Sequence, residues 1–329
     1  HMIYGIIDLG SNTIRLSIFK YNDGKIKLLS NKKEIVGLAL CVENGRLTEK
    51  GIEKTCEILN KYRESLENAQ VKVYSVFGTA SLRNIKNKDE ALQEIKAKTG
   101  MEPEILFGEE EARLGFLAVK SEYDVENGIV IDIGGGSTEI VVFEEGEIRE
   151  LTSIPIGALN LQDGNVPGLV AKEKDIKRMR RIVSKALDKL DWENKEYSQM
   201  YAVGGTARAT LKVAKELFGV PVESKSFSRV ELKGIIRKMK SEVHEEYKSV
   251  YKIIPERIFS FAGGISILSE IVKKFNCTQI NISKAGIREG YFIDRIVNYL
   301  KENQKIKEAE EKVKEEILEK DEAGEKIGE

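Results

Sequence analysis

Between residues 129 and 143 the chain reads IVIDIGGGSTEIVVF, a run of branched apolar residues that ends in Asp132, three glycines, Ser137 and Thr138 before apolar residues resume. Such a pattern predicts a strand, a tight loop and a returning strand. Residues 8–19, DLGSNTIRLSIF, repeat it. Laid without gaps, Asp8 falls on Asp132, Gly10 on Gly134, Thr13 on Ser137 and Phe19 on Phe143, while Arg15 falls on Glu139. Each copy runs on to a glycine turn, Asp23-Gly24 and Gly146, as a hairpin does. The chain therefore reads as a duplication, with two related half-sheets presenting loops to a shared cleft.

The remaining pattern alternates strands and helices. Thr48 is placed to cap a helix whose apolar face is Ile52, Cys56, Leu59 and Leu66. Residues 71–77 alternate as a strand that delivers Arg83 to a loop, and a helix from Lys88 closes at Gly100. A short strand at 104–107 precedes Glu109, Glu110 and Glu111, which open the next helix. Further on, residues 200–203 read as a strand entering a helix through Gly204, Gly205 and Thr206. Ser228 caps a helix that is apolar at Leu232, Ile235, Ile236 and Met239; a second glycine pair, within 259–268, enters another helix, and residues 279–290 give a strand, a turn and a helix start at Arg288. An amphipathic helix around residues 172–190 carries Lys172, Lys174, Lys177, Arg178, Arg180, Arg181 and Lys185 on one side. That side is a solvated face or, if it borders the cleft, an attractor for a long polyanion. The tail at 301–329 is Lys/Glu-rich, with helical pairs such as Glu308 and Lys312.

A chain of 329 residues suggests about two domains. Charged residues make up 33% of it yet balance to a formal net charge of -1, so there is no global basic field and nucleic acid is not the expected partner. No apolar run approaches a membrane span and no signal peptide precedes the first strand, so a cytoplasmic protein without membrane contact is expected. Three cysteines, Cys41, Cys56 and Cys277, have no metal or redox spacing. Apart from His1 only His244 is present, which excludes a multi-histidine metal centre and a histidine nucleophile elsewhere.

Glycines let backbone amides approach an anion, and consecutive amides in such turns form a concave anion site. Phosphate is the expected guest of both loops. Asp132, at a strand end beside its loop, is placed to hold a hydrated divalent cation against that phosphate. The Gly204-Gly205 entry is either a third anion site at a helix N-terminus or a plain turn. For Arg83, a fork onto phosphate oxygens and a surface position are equally consistent with its place beyond a strand end. The glutamates at 109–111 either complement the helix dipole or offer one general base for a water.

Together these stretches resemble the exopolyphosphatase and guanosine pentaphosphate phosphohydrolase family, a branch of the actin, Hsp70 and sugar kinase superfamily. Six motifs in order carry the likeness: DLGSNTIRL from Asp8, TASLRNIKN from Thr79, GEEEARLGFLAV from Gly108, IDIGGGSTE from Ile131, AVGGTAR from Ala202 and SKAGIREG from Ser283. The resemblance implies an α/β fold of two ribonuclease-H-like (actin-like ATPase) domains, each with a mixed five-stranded sheet, flanking a cleft. These would be residues 1–122 and 123–300, followed by a charged tail. It further implies that Glu111, or its neighbour Glu110, activates water and that Arg83 neutralises charge at the transferred group. Asp132 would position magnesium (or manganese), helped by Asp8 and Glu139. Gly10, Ser11, Asn12, Thr13, Gly134, Gly135, Gly136 and Ser137, with Gly204 and Gly205, would cradle phosphates. The implied reaction is hydrolysis of the terminal phosphoanhydride of polyphosphate, or alternatively of guanosine pentaphosphate, by a homodimer of the shorter, two-domain type. Readings from other classes are an ATP-holding switch of the actin and chaperone kind, and an acyl or sugar kinase.

Overall fold

A computed structural model describes residues 2–22 and 24–303. The expected tail helix with its Glu308–Lys312 pair, and Asp23 of the first turn, lie outside the described residues. The first half runs through β1 (Met2–Leu9), β2 (Thr13–Asn22), β3 (Lys25–Ile35), the small hairpin β4 (Val42–Glu43) and β5 (Arg46–Leu47), α1 (Glu49–Asn68), β6 (Tyr74–Gly78), α2 (Ala80–Arg83), α3 (Lys88–Thr99), β7 (Glu104–Ile105) and α4 (Gly108–Glu122). The second comprises β8 (Gly128–Ile133), β9 (Thr138–Glu144), β10 (Glu147–Ile154), α5 (Ala158–Asp163), α6 (Glu173–Leu187), β11 (Gln199–Val203), α7 (Gly205–Phe218), β12 (Ser226–Ser228), α8 (Arg229–Lys240), α9 (His244–Ile253), α10 (Phe261–Lys274), β13 (Gln279–Ile282) and α11 (Ile287–Phe292).

Two mixed sheets result, ordered β3-β2-β1-β6-β7 and β10-β9-β8-β11-β13-β12. In each, an antiparallel three-strand meander joins strands that run parallel to its first member. This is the two-sheet α/β architecture the sequence implied. The second sheet carries a sixth strand, β12, whose three residues are too short and too polar to announce themselves. Its last residue, Ser228, also caps α8, with Ser228 Oγ accepting from Val230 N and Glu231 reaching back to Ser228 N.

The duplication is reproduced bond for bond. Asp8 lies opposite Arg15 and Leu9 opposite Ile14, as Asp132 lies opposite Glu139 and Ile133 opposite Thr138. Gly10 N donates to Thr13 O at 3.1 Å and Gly134 N to Ser137 O at 3.0 Å, closing the same four-residue turn at the aligned positions.

Each sheet is covered by helices whose buried faces follow the 3.6-residue period. In the first half Ile52, Cys56, Leu59 and Leu66 of α1 meet Leu9, Ile14 and Leu16. In the second, Ile176, Met179 and Val183 of α6 and the inward side of α10 meet Ile129, Ile131 and Ile140. Burial of each such side chain contributes about 1.5–3 kcal/mol. α4 packs on both halves. Its Leu114 joins Tyr4, Phe19 and Phe77 of the first sheet, and Ala112, Phe116 and Val119 join Val130, Val141 and Phe143 of the second. α11 crosses back from β13 to the first sheet, stacking Tyr291 on Phe77 at 4.9 Å and Phe292 on Phe19 at 5.0 Å between ring centroids. A two-pronged pair, Arg113 to Asp294 at 2.8 and 2.9 Å, fastens the segment just beyond α11 to α4.

Three expectations are adjusted. The strand expected at 71–77 begins only at Tyr74, because Gln70 (φ 55) turns the chain out of α1 and residues 71–73 are spent crossing from the helix layer to the sheet. Arg83 ends a single helical turn, α2, instead of lying in a loop. Gly263 and Gly264 sit inside α10, where a Cβ would overlap the Ala158 carbonyl and the Thr206 hydroxyl, so that pair serves close packing. Among the described residues no helix is long and apolar enough to cross a membrane.

Candidate functional site

The two glycine loops follow the ends of β1 and β8 and line one cavity of about 170 Å³. Each loop is drawn back by the helical turn that follows its meander. Asn12 O accepts from Val36 N and Gly37 N, and Ser11 O from Ala39 N, all at 2.9 Å. Correspondingly, Gly134 O accepts from Ala158 N at 2.8 Å, and Gly135 O from Leu159 N and Asn160 N at 3.0 and 3.1 Å. With those carbonyls engaged, the amides of Ser11, Asn12, Gly135 and Gly136 have no protein acceptor among the described residues. Paired amides of this kind form a nest for an anion. The loops also touch: a Cβ on Gly136 would lie 2.7 Å from Ser11 Oγ.

Gly204 and Gly205 line the same cavity at the N-terminus of α7, whose free amides and dipole favour an anion. Gly204 has φ 97, and a Cβ there would lie 2.9 Å from Asp132 Oδ1. A side chain on Gly205 would overlap the Arg257 guanidinium. Gly204 is thus demanded by its backbone and its approach to Asp132, whereas at Gly205 the flexible Arg257 side chain would have to give way.

Asp8, Asp132, Glu139 and Glu111 contribute carboxyls to the cleft. Burial pushes Asp8 up to about 6, against the opposing pull of Arg288 and Arg15, and burial likewise raises Asp132 against Arg208. Asp8 Oδ1 is buried without a hydrogen-bond partner. An orphaned carboxylate oxygen close enough to feel a second carboxylate fits a hard divalent cation, which restores the ionised form of both. Among the described residues no three carboxyl, imidazole or thiol groups form a ready-made cage. Magnesium takes few protein carboxylates and keeps waters and phosphate oxygens, so a pair such as Asp8 and Asp132 is a donor set that would fit it. Glu139, 4% exposed, instead accepts from Ser153 Oγ at 2.7 Å.

The glutamates that open α4 separate. Glu111 is 7% exposed, faces the cavity and is ion-paired with Arg83. Burial raises its pKa well above the ordinary value, Glu139 adds to the rise, and Arg83 opposes it. Glu110 does not line the cavity; it pairs with Arg295 beyond α11. Arg83 does not line it either. Its guanidinium holds Glu111 and donates to Leu106 O at 2.9 Å, in an adjoining groove with Phe107, Gly108 and Ser153. None of the basic residues of α6 reaches the cavity.

The sequence reading nominated no cation on the cavity wall, yet Arg15, Arg208, Arg257, Arg288 and Lys284 all line it. None of the four arginines has a salt-bridge partner among the described residues, although Arg288 donates to Ser17 Oγ at 2.6 Å and Asn31 Oδ1 at 2.9 Å. Burial lowers the pKa of Arg15, Arg208 and Arg257, and neighbouring guanidinium groups depress each of them further. Such a cluster is frustrated until an anion joins it. Arg15, Arg208 and Arg288 sit inside the quoted motifs, and the strand period that puts Arg15 level with Asp8 would have found the first. Arg257, in the turn before α10, carries no motif signal.

The sequence model of the Ppx/GppA phosphatase family matches residues 17–299. Guanosine-5'-triphosphate,3'-diphosphate pyrophosphatase of Aliivibrio fischeri is 26% identical over 291 residues, covering 88% of this chain and 58% of that protein. The protein of the same name from Vibrio cholerae is 23% identical, covering 92% and 61%. The chain thus spans about three fifths of the length of the curated relatives it matches. The crystal structure of the Aquifex aeolicus Ppx/GppA family member superposes with a TM-score of 0.74 at 27% identity, covering 91% of this chain and 98% of that one. A Cytophaga hutchinsonii exopolyphosphatase shares the fold, with a TM-score of 0.74 at 23% identity over 89% and 97%.

Proposed function

The chain belongs to the Ppx/GppA phosphatase family, and from that premise we propose that the cleft hydrolyses the terminal phosphoanhydride of inorganic polyphosphate and releases orthophosphate. One observation carries this reading: a buried glutamate, Glu111, shares a small cavity with two amide nests and four arginines that have no carboxylate partner among the described residues. A polyphosphate end supplies what each of these lacks.

In this reading the terminal phosphate rests on the amides of Ser11, Asn12, Gly135 and Gly136 and the hydroxyls of Thr13 and Ser137. Ionised Glu111 takes a proton from a water, the water oxygen bonds to phosphorus, and the bridging P–O bond breaks. The departing chain keeps the electron pair, and Arg15, Arg208, Arg257 and Arg288 take up its charge. Arg83 is a positioning residue that orients Glu111 and favours its ionised form. Asp8 and Asp132, with Glu139 behind them, would hold magnesium (or manganese), which when bound supplies positive charge at the phosphate oxygens. Positioning and electrostatics carry most of the acceleration in such transfers.

A second substrate, guanosine pentaphosphate, is favoured by the names of the relatives from Aliivibrio and Vibrio. Phosphate release from long polyphosphate, guanosine pentaphosphate and ATP, side by side with magnesium, separates the two. Glu111→Gln should lower release from the preferred substrate by about 10²–10⁴-fold while binding changes little. Tight ATP binding with no release from any of the three would replace the hydrolase with a nucleotide-holding switch.

A further inference from the structure

A second cavity, of about 750 Å³, opens on the outer side of the second half, between α6, α8 and α10. Six cations line it, Arg180, Arg229, Lys233, Arg237, Lys240 and Lys273, against the carboxylates of Glu173 and Glu246. Arg180 is neutralised by Glu270 at 2.6 Å, and Lys240 approaches Glu173 at 3.4 Å. Arg229 donates only to the neutral Asn276 side chain, and Lys233, Arg237 and Lys273 have no polar partner among the described residues.

Helix physics alone does not account for this arrangement. Arg229, Lys233 and Arg237 follow one another at i, i+4 and i+8 on α8, where like charges one turn apart repel. The helix dipole welcomes cations in the last turn but disfavours Arg229 at the first position. Between the basic walls the lining is apolar, with Ile236 keeping 8% of its surface exposed above the buried Leu232 and Val272, and the aliphatic stems of the lysines and arginines extend this apolar floor. An inorganic polyanion would use the walls and gain nothing from the floor.

We propose that this groove binds a nucleoside polyphosphate, its phosphates on the α8 row and its base on the apolar floor. The volume is that of a small-molecule site. α10 ties the groove to the cleft, running from Ser260 at the catalytic cavity to Val272 and Lys273 here. The inference does not depend on the chemistry assigned to the cleft.

Isothermal titration of the full chain with β,γ-methylene-ATP tests it. A cleft variant, Arg208→Glu, isolates the groove, and the pair Lys233→Glu with Arg237→Glu removes it. The cleft variant should still bind the nucleotide. Adding the groove pair to it should weaken that binding by about a hundredfold or more, while the pair alone leaves phosphate release from polyphosphate within about twofold. Inorganic tripolyphosphate should bind the cleft variant about tenfold more weakly than the nucleotide. Unchanged affinity in the groove variant, or absence of binding to the cleft variant, overturns the site. Equal affinity for tripolyphosphate overturns its assignment to a nucleoside.

Discussion

The two glycine loops share a turn, a register and a mode of anchoring, and they differ where the cross-strand neighbour of the aspartate falls. In the first copy Asp8 faces Arg15; in the second Asp132 faces Glu139. One substitution within a duplicated hairpin thus gives the cleft two poles. On the first side an acid and a base offset one another, and Arg15 is left to join Arg208 and Arg288 in a cationic cluster. On the second side two acids stand together beside Glu111; burial raises the proton affinity of both, and Asp132 adds to the rise at Glu139. In the proposed reaction the two loops serve as equivalent phosphate grips, and their asymmetry would set the direction, with the attacking water at one pole and the departing chain at the other.

Making the copies alike should have the largest effect. Arg15→Glu places in the first loop the residue type the second loop carries at that position. It removes one cation from the substrate and sets a carboxylate opposite Asp8. A charge-assisted contact contributes about 1.5–3 kcal/mol, and the new repulsion adds to its loss, so kcat/KM for polyphosphate should fall by about 10³-fold, through kcat as well as KM. Arg15→Met, which removes the charge alone, should lose about 10–100-fold. Steady-state phosphate release with both variants checks the claim; kcat/KM within about twofold of wild type in both would remove Arg15 from the substrate's side of the cleft.

A smaller effect separates the loops by how tightly they are held. A Cβ on Gly157 would overlap the Gly135 carbonyl, and because the obstacle is backbone no rotamer relieves it. Gly157→Ala should therefore destabilise the protein by about 3 kcal/mol and lower turnover about tenfold by opening the second amide nest. At the matching place in the first loop, Gly37 has φ 64 and a Cβ would meet nothing nearer than 3.7 Å. Gly37→Ala should lose only about 1 kcal/mol to its left-handed backbone. Urea midpoints of the two variants decide, and equal losses would mean that the loops are anchored alike.

How much of this was legible follows from what local pattern encodes. The repeat at residues 8–19 and 132–143 was readable because strand period, glycine turn and register are local, and the aligned residues do occupy the same places. The caps at Thr48 and Ser228 were readable for the same reason. Choosing between Glu110 and Glu111 was not, since consecutive helical residues point about 100° apart and only tertiary packing shows which direction is the cleft. Arg83 could be placed beyond a strand end, but that its guanidinium turns to Glu111 depends on α4, some thirty residues on. Arg257 was invisible because it comes from a turn without motif, brought in by α9 and α10. The basic face of α6 was seen but lies off the cleft, because its apolar face packs on the outside of the second sheet.

The finest distinction between the poles is read by protons. Burial, then repulsion from Asp132, pushes Glu139 from an ordinary 4.5 up to about 7, although Ser153 donates to it. A carboxyl whose folded pKa exceeds its unfolded one binds its proton more tightly when folded. Its stabilising contribution is therefore complete below about pH 4.5 and is lost as the pH rises towards 7. The full shift corresponds to about 3 kcal/mol, and sharing of protons with Glu111 reduces what one residue can show to about 2 kcal/mol. In chelator, wild-type protein should lose that much stability to urea between pH 4.5 and 7.5 relative to Glu139→Gln, whose amide keeps the neutral form throughout. Magnesium should cancel the loss at pH 7.5 by stabilising the charged acids. Asp8, raised by burial from 3.8 to about 6 against Arg288 and Arg15, should lose its contribution at lower pH, so relative to Asp8→Asn most of the wild-type loss should fall below about pH 6. A loss relative to Asp8→Asn that falls instead between about pH 6 and 7.5 would mean that Arg15 and Arg288 do not hold Asp8 below Glu139.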